Sequence, residues 1–334
     1  MNDNSELPML PSIDIYKLRC IFNNITSFNK NIINYDYIIY GRIKEIAKKT
    51  EKLNELIRNA IPILKIKINY IINNDLDENT NNNESNTDDI CKTILTTNFI
   101  EDLIDAKTEL EKLNFQIRDT IESLLAFHLN ENNKLKLSQY VSQKELLVIS
   151  RNSKQEKLNE INHQYSIITA AEDVILKAKI TDFFNKYLLG KELIDSIDLP
   201  MNKKQILKSA IIYVRNLLLI VDDGQEITQL VDARLYLSAQ IIELKEEINS
   251  IDNNISQLSQ LILLANEVSA IDTYKLSIVT QIGLLKNYWE SWCKFSSKQA
   301  SEQPLNIPLI NTASQMLITY LNDMEYQYQR QLSD

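Results

Sequence analysis

The sequence predicts an all-α fold: an elongated, rod-like bundle of very long coiled-coil helices that carries one apolar helical hairpin as a head or foot. Three observations lead there. Only 4 of 334 residues are glycine, about 1%, where about 7% is usual. Tight turns need φ > 0 positions, which glycine fills without strain, so the chain has few of them. Apolar residues recur at alternating spacings of three and four over long stretches, the period that puts a seam on one face of a helix. No stretch shows the period of two that a strand requires.

The first helix is expected from about Ile13 to Ile72. Ile21, Ile25, Phe28, Ile32, Tyr35 and Ile39 keep a 4-3-4-3-4 spacing, and Ile46, Leu53, Ile57, Ala60, Leu64 and Ile71 extend it. Pro62 lies inside this run, and because the pattern resumes at once it should bend the helix rather than end it. Residues 73–89 form a polar, acidic stretch that reads as a solvated connection between helices. As a calcium loop counted from Asp75 it fails, since Thr80 stands where glycine is needed and Asn86 where a bidentate glutamate is needed.

A second helical stretch is expected from about Asp89 to Leu189, with Leu103, Ala106, Leu110, Leu113, Ile117 and Leu124 as its first seam and a looser patch at Asn130–Lys134. A third runs from about Gln225 to Ser296. Its seam of Ile241, Leu244, Ile248, Ile251, Ile255, Leu258, Ile262 and Ala265 is strict over more than three heptads, and it ends on Ile278, Ile282, Leu285, Trp289 and Trp292. The tryptophans read as bundle packing rather than as partner contacts. A last helix, about Ile310 to Gln331, follows a linker marked by Pro304 and Pro308.

Residues 166–225 stand apart, and they divide the chain into a bundle of residues 1–165 with 226–334 and an inserted hairpin. One arm is Ser166 to Leu189, the other Met201 to Asp223, with a short amphipathic piece from Lys191 to Leu199 between them. Gly190, Pro200 and Gly224 punctuate the hairpin and are its candidate hinges. From Ile206 to Val221, twelve of sixteen residues are apolar. Leaving those side chains in water costs on the order of 20–35 kcal/mol at ~1.5–3 each, more than the whole stability of a typical domain. The arm must therefore be covered. Lys208, Arg215 and Asp222, with Ser209, Asn216 and Asp223 beside them, recur every seven residues and make one narrow polar stripe. As helices the arms span about 36 and 35 Å, close to the ~30 Å hydrocarbon core of a bilayer. The candidate lipid-facing residues are Val174, Ile175, Ala178, Phe183, Phe184, Tyr187 and Leu188 on the first arm. On the second they are Ile206, Leu207, Ile211, Ile212, Val214, Leu217, Leu218, Leu219, Ile220 and Val221. Lys208, Arg215 and Asp222 are candidates for a water-filled lumen, where charge is tolerated. Eight Lys and Arg against four acids between Lys177 and Arg215 suit anionic headgroups, in a chain whose net charge is -9.

That overall charge argues against nucleic-acid binding. Cys20, Cys91 and Cys293 are far apart and have no metal spacing, and His128 and His163 have no ligand or catalytic cluster near them in sequence. No phosphate loop or catalytic motif occurs, so neither an enzyme nor a cofactor is expected. The opening Met1-Asn-Asp-Asn-Ser-Glu has no basic and apolar regions of a secretory signal, and no ordinary transmembrane helix is expected, because apolar runs of about 18 residues are lacking.

A set of very long helices with one apolar helical hairpin at residues 166–225 resembles the α-helical pore-forming toxins of the cytolysin A type. Within them the chain looks most like the B component of the alpha-xenorhabdolysin-type binary toxins. The resemblance implies a water-soluble subunit, released without a signal peptide, that pairs with a larger A component. The pairs would form a hetero-oligomeric ring on a target-cell membrane, insert the hairpin and lyse the cell. A coiled-coil scaffold or tether without membrane activity fits the heptads equally well, but it leaves the apolar run 206–221 without a purpose.

Overall fold

The computed structural model describes residues 7–73, 87–180, 191–218, 227–302 and 304–332. Every regular element among them is a helix: α1 (Ile15–Thr26), α2 (Ile32–Tyr35), α3 (Tyr37–Asn73), α4 (Thr87–Leu125), α5 (Asn130–Lys177), α6 (Lys191–Ser196), α7 (Met201–Leu218), α8 (Ile227–Ser301) and α9 (Ile307–Gln329). The all-α expectation holds. The polar stretch between α3 and α4 lies outside the described residues apart from its ends.

Two expected helices are broken. The first is three helices, not one. Thr26 and Ser27 turn their hydroxyls back onto the carbonyls of Phe22 and Asn23 at the end of α1, which competes with helix continuation. Asp36 then stands in extended backbone between α2 and α3. Its Oδ1 accepts from the N–H groups of Ile38 and Ile39 at 2.8 and 3.0 Å, a side-chain cap on α3. Its Oδ2 accepts from Lys136 Nζ at 2.5 Å. The apolar phase nevertheless runs through both breaks, and Ile21, Ile25, Ile32, Tyr35 and Ile39 are all buried. α3 continues through Pro62 without ending.

The second expected helix breaks at residues 126–129. Three polar side chains, Lys275, Arg42 and Asp272, hold that connection. Phe127 O accepts from Lys275 Nζ, and His128 O accepts from Arg42 Nη1 at 2.8 Å. Asn130 Nδ2 donates to Asp272 Oδ2 at 2.6 Å, and Lys275 pairs with Asp272 at 2.7 Å. Three residues on, buried Asn133 donates to Ala265 O and accepts from Tyr35 Oη. Asn133 is satisfied through both its amide nitrogen and its oxygen, while Asn130 Oδ1 is buried without a hydrogen-bond partner.

The chain divides into two units, Met1–Lys136 with Leu263–Asp334, and Leu137–Ile262. In the first, α3 lies against α1, α4 and α9. Trp289 and Trp292 are fully buried there, and Tyr288 meets Tyr320 of α9 edge to face at 5.6 Å. The tryptophans are packing residues, as expected. The second unit contains most of α5, all of α6 and α7, and the first part of α8. It holds the described part of the hairpin.

Candidate functional site

α5 carries Leu158, Ile161, Ile168, Ala171, Val174 and Ile175 on one face, and all six are buried. α8 supplies Leu230, Ala233, Leu237, Ile241, Leu244 and Ile248 to the same cluster. The second arm docks here: Leu207, Ala210, Ile211 and Val214 of α7 are buried in it, and Ile206, Tyr213 and Leu217 are half-buried against it. The spacing 207, 210, 211, 214 is one face of a helix. Three alanines on three helices, 171, 210 and 233, are fully buried, and small side chains let helix backbones approach. Burying Leu207, Ile211 and Val214 contributes roughly 5–9 kcal/mol, a large share of a typical domain's stability. The apolar face of the second arm is thus covered by the chain's own helices.

Two residues matter most where α6 meets α7: Asp195, near the end of α6, and Pro200, just before α7. Asp195 accepts from Lys208 Nζ with both carboxylate oxygens at 2.6 Å. Its backbone oxygen accepts from Lys204 Nζ at 2.8 Å. Two lysines of α7 therefore hold the end of α6, while Ile194 is buried beneath it. The Pro200 carbonyl accepts from Lys203 N and Lys204 N at 3.0 and 3.1 Å, so Pro200 starts α7. Near the root of the first arm, Glu172 pairs with Arg234 of α8 at 3.0 Å.

The first arm differs from its expectation. The predicted helix from Ser166 to Leu189 ends at Lys177. Lys179 N donates to Leu176 O and Ile180 N to Ile175 O, both at 3.3 Å, the two crossed bonds of a Schellman ending. Lys179 takes the left-handed position with φ 57°. Ile180 then lies against the cluster that buries Ile175, the hydrophobic contact that accompanies this motif. Lysine was an invisible stop signal, because glycine or asparagine is the usual residue there.

Among the expected site residues, Val174, Ile175, Leu207, Ile211 and Val214 are buried, Ala178, Ile206 and Leu217 half-buried, and Ile212 is 39% exposed. Of the expected stripe, Lys208 and Arg215 are half-buried, with Lys208 bound to Asp195, while Asn216 is exposed. Phe183, Phe184, Tyr187, Leu188, Gly190, Leu219, Ile220, Val221, Asp222 and Gly224 lie outside the described residues, and Leu218 ends α7 without a described side chain. α7 carries four cations, Lys203, Lys204, Lys208 and Arg215. No described helix is long and apolar enough to cross a membrane by itself. Sequence reasoning missed Lys179, Asp195 and the receiving face of α8. Only the last left a signal, its 3-4 repeat.

No protein-family model matches the sequence, and no curated protein matches it either. Solved structures do match. PaxB from Photorhabdus luminescens superposes with a TM-score of 0.86 at 18% identity, over 97% of this chain and 100% of that one. XaxB from Xenorhabdus nematophila, in its crystal structure, gives 0.68 at 22% identity over 95% and 99%. A chain of the XaxAB pore complex from the same organism gives 0.66 at 18% over 96% and 99%. The matches cover nearly the whole of this chain, and the chain shares the fold of PaxB and XaxB.

Proposed function

We propose that the chain is one subunit of a binary α-pore-forming toxin. The observation that carries this reading is the end-to-end likeness to chains whose structures include a pore complex. The second arm adds to it, being an apolar helix held against the chain's own α5 and α8. In the water-soluble form the hairpin of residues 166–225 is stored. A larger A component pairs with the chain, and the pairs assemble into a hetero-oligomeric ring on the target membrane. The hairpin then leaves its core. Lipid replaces protein around Val174, Ile175, Leu207, Ile211 and Val214, so the burial lost in water is regained in hydrocarbon. Lys208 and Arg215 stay tolerable only if they face a water-filled lumen. Gly190, Pro200 and Gly224 serve as turning points, and the cell lyses. No catalytic step is needed.

The test is dye release from phosphatidylcholine–phosphatidylglycerol vesicles by the chain alone and with the product of the neighbouring gene. Release only with both is expected. Release by the chain alone would keep the membrane mechanism but remove the partner. No release, together with no flotation on red-cell membranes, would overturn the reading in favour of a scaffold. Ile212→Asp sharpens the test. The side chain is exposed, so the soluble fold should survive, whereas a carboxylate facing lipid costs about 2.5–3.5 kcal/mol per chain. Folded Ile212→Asp with full lytic activity would remove the second arm from the inserted segment.

A further inference from the structure

The first unit contains a cavity of about 310 Å³ between α4 and α8, at the small end of the range for ligand sites. Asn114, on its α4 side, is 7% exposed, and its Oδ1 is buried without a hydrogen-bond partner. A buried acceptor left so costs free energy, and it calls for a donor that enters from the cavity. Cys293 is buried on the α8 side. Burial, then the charge of Glu111, with Lys107 opposing and Glu290 adding, pushes its thiol up. The field of both carboxylates therefore reaches the buried end of the cavity. Each carboxylate has a lysine one turn before it, Lys107 at 3.6 Å and Lys286 at 2.7 Å, but surface pairs of this kind are weak and yield to a better-placed cation. At the mouth Phe115, Arg118 and Lys294 are exposed. The Arg118 guanidinium lies over the Phe115 ring at 5.3 Å, and neither cation forms an ion pair with a described residue.

We propose that this cavity is a binding site for a small zwitterion with a primary ammonium at one end and a phosphate at the other, of the aminoethyl phosphate class. The ammonium has three donors. At the buried end it donates to Asn114 Oδ1 and faces Glu111 and Glu290. The phosphate stays at the mouth and accepts from Arg118 and Lys294. A simple cation would leave those two without a counter-charge. A simple anion would leave Asn114 unsatisfied and meet both carboxylates. A quaternary ammonium carries the right charge but has no N–H to give Asn114. The assignment uses neither the hairpin nor the second unit, so it stands apart from the pore-forming reading. A free aminoethyl phosphate and the headgroup of phosphatidylethanolamine present this same chemistry.

The experiment is calorimetric titration of the full chain with phosphoethanolamine, and with phosphocholine for comparison. Phosphoethanolamine should bind saturably, one per chain, and phosphocholine about tenfold more weakly or worse. Asn114→Leu removes the unpartnered acceptor, so it should weaken phosphoethanolamine about tenfold without lowering the thermal midpoint. Lys294→Ala, at an exposed position, should weaken it about threefold. No saturable binding by the wild type, or equal affinity for phosphocholine, overturns the site. So does wild-type affinity in folded Asn114→Leu; should that variant not fold, wild-type affinity in Lys294→Ala overturns it instead. Flotation of the chain with phosphatidylcholine vesicles, with and without phosphatidylethanolamine, then identifies the source. Flotation that needs phosphatidylethanolamine and is competed by free phosphoethanolamine supports the site as a headgroup reader. Calorimetric binding without such flotation supports it as a site for the free compound. Failure of dye release would overturn the pore-forming reading and leave this site standing.

Discussion

Asp36 does two tasks with one carboxylate, and each can be measured. One oxygen caps α3 through the N–H groups of Ile38 and Ile39, and the other binds Lys136. Burial opposes its ionisation, but these bonds outweigh burial and hold its pKa below the ordinary 3.8. A carboxylate depressed in the folded state contributes stability that is complete above its unfolded pKa and lost as pH falls through its folded one. Asp36→Ala should cost about 1–2 kcal/mol at neutral pH, most of it the cap. In thermal melts the gap from wild type should shrink only below pH 3.8; a gap independent of pH would show that ionisation is irrelevant. Cys293 behaves oppositely. Burial, then the charge of Glu111, with Lys107 opposing and Glu290 adding, pushes its thiol up to about 12. The thiolate is the reactive species, so iodoacetamide near neutral pH should leave Cys293 unmodified in the folded chain and alkylate it in urea. Equal rates in both states would contradict the burial.

Elements were legible in the sequence where their signal is local, and illegible where remote groups decide. The seam Ile21–Ile39 keeps its phase through two helix breaks because the short turns return the chain to the same face. Spacing alone could not reveal those breaks, because besides the local caps two remote groups hold them, Lys136 on Asp36 and Glu267 on the Asn29 N–H, 100 and 238 residues away. The same holds at residues 126–129, where Arg42, Asp272 and Lys275 decide. In the hairpin, α6 and α7 begin at Lys191 and Met201, where composition put the short piece and the second arm, while the stop at Lys179 carried no residue that announces a helix end. The joining of α1 to α9 is a further case without sequence signal. Gln327 Oε1 accepts from Ile15 N and Tyr16 N, orphan donors at the start of α1. In return Arg19 Nη1 donates to the carbonyls of Gln327 and Arg330, at 2.7 and 2.8 Å, at the end of α9. Each helix end is closed by the other helix. Arg19→Ala should therefore lower stability by about 1–3 kcal/mol, the range for hydrogen bonds to a charged donor at a half-buried site. It should also raise amide exchange in the first turn of α1 and the last turn of α9 together. Exchange rising at one end only would break the reciprocity.

At the scale of the whole molecule the two units differ in how their interiors are sealed. The first buries Phe99, Trp289, Trp292 and Tyr288 along with its aliphatic residues. The buried cluster of the second is aliphatic, with its tyrosines 165 and 213 only half-buried. Between residues 137 and 157 no residue of α5 is buried, and between 249 and 264 none of α8 is. Here Arg151 binds Asp252 and Lys154 binds Glu247 across the pair, yet Ile251, Ile255, Leu258 and Ile262 stay half-exposed. Exposed ion pairs contribute little, at about 0–1 kcal/mol each, so they do not make up for a seam open to water. Under the proposed function the second unit gives up α7, and elements that move come from the low-stability end of a structure. Unfolding should accordingly depart from two-state behaviour. Both tryptophans of the chain lie in the first unit, so their fluorescence reports that unit alone, whereas far-ultraviolet circular dichroism reports both. In a urea titration the loss of helical signal should begin before the tryptophan transition, and amides of α7 should exchange ahead of those in α3. Coincident transitions would mean that the two units unfold as one, and release of the hairpin would then have to draw on the stability of the entire chain.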